Sequence, residues 1–91
     1  MPVFDWDQKK NEWLKQEREI SFEQVVLCIE EGGLHDIIEH PNENRYKGQQ
    51  CYIIEVEGYI FVVPYIEMEG SIFLKTIFPS RKFTKRYLGR R

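Results

Sequence analysis

The stretch CYIIEVEGYIFVVPY, residues 51–65, constrains the fold more than any other. CYIIEVE alternates, with Tyr52, Ile54 and Val56 on one face and Glu55 and Glu57 on the other. Glu57-Gly58 has the chemistry of a tight hairpin turn, and YIFVVPY reads as the return strand. Pro64 has no N–H to give to a ladder, so it marks an edge, a bulge or the strand's end. Two more strands flank this hairpin: LHDIIEH before Pro41, and SIFLKTIF, which Pro79 ends. PNENRYKGQQ between the first two is a polar loop, and IEMEG turns the chain before the last.

The N-terminal third is helical instead. In ISFEQVVLCIEEGG, Ser21 and Gln24 form a capping box, and Ile20 and Val25 suit a hydrophobic staple. Phe22, Val25, Val26 and Ile29 line one helical face, and Gly32-Gly33 supplies a left-handed stop. Before it, DWDQKKNEWLKQERE holds strong helix formers, with Asp5 three residues ahead of Gln8 as a cap. Trp6, Trp13 and Leu14 then fall on one stripe. At the other end Ser80 caps a short helix running to about Leu88, with Gly89 as its stop. Sequential strands on short turns predict a meander. The expected fold is α+β: two N-terminal helices packed on one face of a four-stranded antiparallel sheet, with a short C-terminal helix.

Ninety-one residues make one small domain. No apolar run approaches the roughly 20 residues that span a bilayer. The start, Met1-Pro2-Val3-Phe4-Asp5, lacks the basic and apolar regions of a signal peptide, so a cytosolic protein with no membrane partner is expected. Cys28 and Cys51 have no metal-ligand spacing and read as reduced core residues. His35 and His40 lie five apart, an odd spacing that puts them on opposite faces of an extended segment and argues against a shared metal site. No nucleotide-binding glycine motif, zinc motif or nucleophile elbow is present, and no metal or cofactor is expected.

A net charge of −2 conceals an asymmetry. Residues 81–91 hold Arg81, Lys82, Lys85, Arg86, Arg90 and Arg91 and no acid. The first eighty residues hold the other seven cations against all fifteen acids. Such a split points to a polyanion or an acidic partner. Further cations sit in suggestive places. Arg45 and Lys47 share a loop with Tyr46. Lys75 lies in the middle of the last strand and is expected to project from the open sheet face. Arg81 stands at the N-terminus of the short helix, where the dipole disfavours a cation unless an anion also binds. Tyr87 lies on that helix too. Arginine, lysine and tyrosine suit RNA, by neutralising phosphates and stacking on bases. They also suit its cleavage without a metal, in which the 2′-hydroxyl attacks the adjacent phosphate and cations stabilise the transition state.

Three segments then carry a resemblance: F-D-W-D-x-x-K-x-N at the start, I-S-F-E-x-V opening the second helix, and S-R-K-x-T-x-x-Y after the last strand. In this order they resemble the BrnT toxin family, ribonuclease toxins of type II toxin–antitoxin systems with a fold similar to the RelE and ParE toxins. The matching positions are Trp6, Lys9, Asn11, Arg81 and Tyr87, with Arg45 as a looser counterpart of a loop arginine. Where the family usually reads K-H-G before its S-F-E, this chain has Lys15-Gln16-Glu17-Arg18-Glu19-Ile20. Where it usually reads I-S-A-R, this chain has Phe78-Pro79-Ser80-Arg81.

The resemblance implies an mRNA-cleaving toxin neutralised by a cognate antitoxin, with DNA contacted only through that partner. From charge and position together with this partial match, Arg81 and Lys75 would be phosphate and transition-state ligands. Arg45 and Lys47 would position the RNA backbone. Tyr87 or Tyr65 would stack on a base or relay a proton. Lys9 would line the same groove, and Lys82 and Lys85 would attract RNA. The alternative is a non-catalytic module that binds RNA or a protein target.

Overall fold

The computed structural model describes residues 3–42 and 44–89. The strands are β1 (Val3–Trp6), β2 (Leu34–Glu39), β3 (Gln50–Val56), β4 (Tyr59–Met68), β5 (Ser71–Leu74) and β6 (Phe78–Pro79). The helices are α1 (Gln8–Arg18), α2 (Phe22–Glu30) and α3 (Arg81–Leu88). The strands form one sheet in the order β1-β5-β4-β3-β2, with β6 also on β4. β1 pairs with β5 in parallel, and every other pair is antiparallel. The fold is therefore α+β with three helices and a six-stranded mixed sheet, which corrects the expected four-stranded antiparallel one.

The correction has two sources. Val3–Trp6 is too short for alternation to stand out, and its parallel partner lies some seventy residues away, beyond two helices and three strands. The cap of α1 is Asp7, which accepts from the Lys10 amide, not Asp5. Trp6 thus belongs to β1 and stacks on Phe22, with ring centroids 5.6 Å apart, instead of sharing a helical stripe with Trp13. Trp13 stays exposed between Lys10 and Arg18. At the other end SIFLKTIF is not one strand. Pairing on β4 runs Tyr65↔Leu74 but Val62↔Phe78, a slip of one residue. The extra residue lies opposite Pro64, the bulge that a missing donor provokes.

The central hairpin forms as its sequence requires. Val56 pairs with Tyr59, and Glu57 and Gly58 both have positive φ, 52° and 78°, as a type I′ turn demands. Ser21 and Gln24 form both bonds of the capping box. α2 ends at two glycines that serve different purposes. Gly32 adopts φ +91°, whereas Gly33 is needed for space: a Cβ there would lie 2.3 Å from Cys28 Sγ. Gly33→Ala is expected to destabilise the chain by about 1–2 kcal/mol. Adding Cys28→Ala should recover part of that loss, and a denaturation double-mutant cycle measures the coupling.

Alternation along the strands divides the core in two. On one sheet face Leu14 of α1, Ile20 of the turn after it, and Phe22 and Val25 of α2 pack on Tyr52, Ile54, Val63, Tyr65, Ile72 and Leu74. On the other, Phe83 of α3 packs on Cys51, Ile53, Ile60 and Val62, with Tyr87 and Leu88 at the margin. Ser80 caps α3, and Thr84 fixes it to the sheet by accepting the Ile60 amide at 2.9 Å and donating to the Ser80 carbonyl at 2.7 Å. The helix with the basic sequence thus lies on the opposite face of the sheet from α1 and α2.

Candidate functional site

α3 buries Phe83 and turns its cations outward. Arg81, Lys82, Lys85 and Arg86 are all exposed. Among the described residues none of the four forms an ion pair. Lys82 Nζ and Arg86 Cζ lie 5.4 and 5.3 Å from the Phe83 ring centroid, so their stems cover the anchor while their charges face solvent. Lys75 joins this face from the sheet. Its amide donates to the Pro64 carbonyl at 2.8 Å, which carries the β5 register one residue further. Pro64 alternates with Val62 under α3, so Lys75 projects on the α3 side.

Tyr87, one helical turn beyond Phe83, stands in a polar cluster that no motif announced. Its hydroxyl donates to Asp36 Oδ2 at 2.8 Å. His35, at the start of β2, lies edge-on to Tyr87 with centroids 6.1 Å apart, and its Nε2 is 2.9 Å from Glu55 Oε1. The hydrogen bond to Asp36 raises the pKa of Tyr87, with burial second and the Asp36 charge third, while Arg86 opposes them. Tyr87 is therefore a neutral hydroxyl donor at physiological pH. The register irregularity between Leu34 and Asp36 is what turns His35 toward α3. The odd-spacing argument for His35 and His40 thus does not apply to this strand, because a bulge resets the alternation.

The other predicted residues lie elsewhere. Arg45 and Lys47 are exposed on the loop at the far end of β2 and β3, so residues 37–39 and the start of the loop separate them from the cluster. There Arg45 sits 5.5 Å from the Tyr46 ring, which stacks on His40 with centroids 4.2 Å apart. Burial lowers the His40 pKa, so that imidazole stays neutral near pH 7, with Nδ1 accepting the Asn42 amide. Tyr65 is 6 % exposed on the α1–α2 face, stacked on Tyr52 at 4.2 Å and donating to Gln50 Oε1. Burial raises both phenols, Tyr52 to about 12. Tyr52 takes one face of the Tyr65 ring, burial keeps the rest from solvent, and Glu67 charges its surroundings negatively, so it does not offer a platform for a base. Lys9 is exposed on α1, across the sheet from α3, and does not share a groove with Arg81. Arg90 and Arg91 lie outside the described residues.

The motif residues Trp6 and Asn11 have structural work in this chain. Asn11 is fully buried: its Oδ1 accepts the Phe22 amide and its Nδ2 donates to Glu23 Oε1, both at 2.8 Å. It clamps α1 to the start of α2. Both cysteines are free, and burial lifts the Cys51 thiol to about 11, so it is not a nucleophile. A hollow of about 310 Å³ lies where α2 ends beside β3. Glu31 and Glu55 line it without a cation, which disfavours an anionic ligand there.

Among the described residues, no three His, Cys, Asp or Glu side chains gather where they could hold a metal ion. Among the same residues, no helix is long and apolar enough to cross a membrane. Compared with known proteins, the chain matches no family model, no curated protein and no solved structure.

Proposed function

We propose that this chain is a cytosolic endoribonuclease toxin that cleaves mRNA by 2′-hydroxyl attack and is held inactive by a cognate antitoxin. The observation that carries the reading is the outward stripe of cations on α3, free of ion pairs among the described residues, which ends at a neutral tyrosine hydroxyl. Such a stripe neutralises successive phosphates, and a hydroxyl donor at its end suits a phosphodiester that gains charge during cleavage. The motif resemblance supplies the reaction class. Arg81 and Lys75 are the phosphate ligands, with Lys82, Lys85 and Arg86 drawing the strand onto α3. Arg45 and Lys47 form a separate basic patch that holds a distant part of the same RNA. The exposed apolar side chains Val3, Ile66 and Met68 favour a protein partner on this fold, and DNA is reached only through it.

The separation of Arg45 from Arg81 favours a second reading, a non-catalytic module that binds RNA or protein, because the predicted cations do not converge on one phosphate. Induced expression in a bacterial host, with RNA 5′ ends mapped, separates the two. The wild-type chain should arrest growth and create new ends. Arg81→Ala should reduce them at least about tenfold, as expected when one charge-assisted phosphate contact is lost. Growth arrest without new ends would exclude the ribonuclease. Cleavage by the purified chain should persist in a chelator.

A further inference from the structure

We propose that His35, oriented by Glu55, is the general base of this site, facing Tyr87 as the acid; the proposal rests on the ribonuclease reading above. A carboxylate can only accept, so the 2.9 Å contact places a hydrogen on His35 Nε2, and in the neutral imidazole that leaves Nδ1 with its lone pair. Among the described residues Nδ1 has no hydrogen-bond partner. The His35 side chain is 31 % exposed, open enough to meet a ligand. Carboxylate, imidazole and free nitrogen in sequence are the arrangement that orients a base by fixing its tautomer. Tyr87 packs edge-on against His35 with ring centroids 6.1 Å apart, and both side chains reach solvent, so one ligand lying over the pair can meet both. The groups facing the imidazole are Glu55 from β3 and Tyr87 from α3, with Asp36 of β2 and Arg86 acting on Tyr87.

The chemistry balances without a co-reactant. His35 Nδ1 takes the proton of the 2′-hydroxyl as the 2′-oxygen bonds to the adjacent phosphorus. The bond from phosphorus to the 5′-oxygen breaks, and Tyr87 gives its proton to that oxygen, which replaces Asp36 as acceptor. An alkoxide is far more basic than a phenolate, so the transfer runs downhill even from a phenol whose pKa is raised. The products are a 2′,3′-cyclic phosphate and a 5′-hydroxyl. The proton on His35 returns to Tyr87 through solvent. Glu55 and Asp36 are positioning residues.

The test is cleavage of a 5′-labelled mRNA by the purified chain in a bacterial translation extract. His35→Gln and His35→Asn should lower the rate at saturating protein by about 100-fold or more. The half-saturating concentration should change less than about threefold, and the melting temperature should stay near that of the wild type. Glu55→Gln should slow cleavage by about tenfold, within the range seen when a supporting partner is removed. His35→Ala should regain activity with added imidazole, which a structural role would not allow. Wild-type rates in both His35 variants beside a slow Arg81→Ala would overturn the proposal and leave the ribonuclease reading standing. Loss without imidazole rescue would also overturn it. No cleavage by the wild-type chain would overturn both.

Discussion

Replacing Lys82, Lys85 and Arg86 together by serine is expected to weaken binding of a single-stranded RNA oligomer about 100-fold at physiological salt. The slope of log affinity against log salt should fall by about two, because each phosphate contact on a single strand releases about 0.7 of a counterion. All three side chains are exposed and free of ion pairs among the described residues, so their charges remain available to a ligand. The stability loss should be small, since a cation over an aromatic ring contributes about 0.5–1 kcal/mol at an exposed site. Anisotropy titrations over a range of salt concentrations measure both quantities. An unchanged slope would mean that RNA does not lie along α3. Lys9→Ser, across the sheet, should leave the slope as it is.

Asn11→Ala should be strongly destabilising, at about 3 kcal/mol. Its side chain is fully buried and satisfies two groups at once. Truncation leaves the Phe22 amide without an acceptor at the start of α2, takes a donor from Glu23 and opens a void between the helices. For a domain of this size that predicts a fall in melting temperature of roughly 15 °C. The loss should depend on pH in a defined direction. The Asn11 hydrogen bond is the largest influence lowering the Glu23 pKa. A folded pKa below the unfolded one stabilises above the unfolded value, and that contribution disappears as pH falls through the folded value. The gap between wild type and Asn11→Ala should therefore narrow below about pH 4. Thermal melts across that range measure it, and a gap that widened on acidification would contradict the assignment.

Both predictions bear on what the chain's letters reveal. Asn11 belongs to a motif segment that resembles a toxin family, and it would be easy to give it chemistry. Its burial shows that this letter holds two helices together. Ser80 and Thr84, in the closing motif, likewise cap and anchor α3. Motif letters of this kind report how a backbone is held as readily as they report a reaction. The polar cluster around Tyr87 has no such local signature. His35, Asp36 and Glu55 carry no spacing signal, because β2 and β3 bring them to Tyr87 only after pairing and a bulge.

What the sequence determined by itself is local. The type I′ turn at Glu57-Gly58, the capping box at Ser21 and the short helix from Ser80 to Leu88 each follow from interactions within a few residues. The concentration of cations at the C-terminal end is equally visible in the letters. The tertiary structure decided what depends on distant segments. Pairing of β1 with β5 joins segments some seventy residues apart, and nothing near Val3–Trp6 specifies it. The packing of α3 on Cys51, Ile53, Ile60 and Val62 selects its face of the sheet. That choice brings Lys75 and Tyr87 to one side and leaves Lys9 and Tyr65 on the other. A strand's alternation shows which residues share a face, but only the packed core shows which face meets which helix.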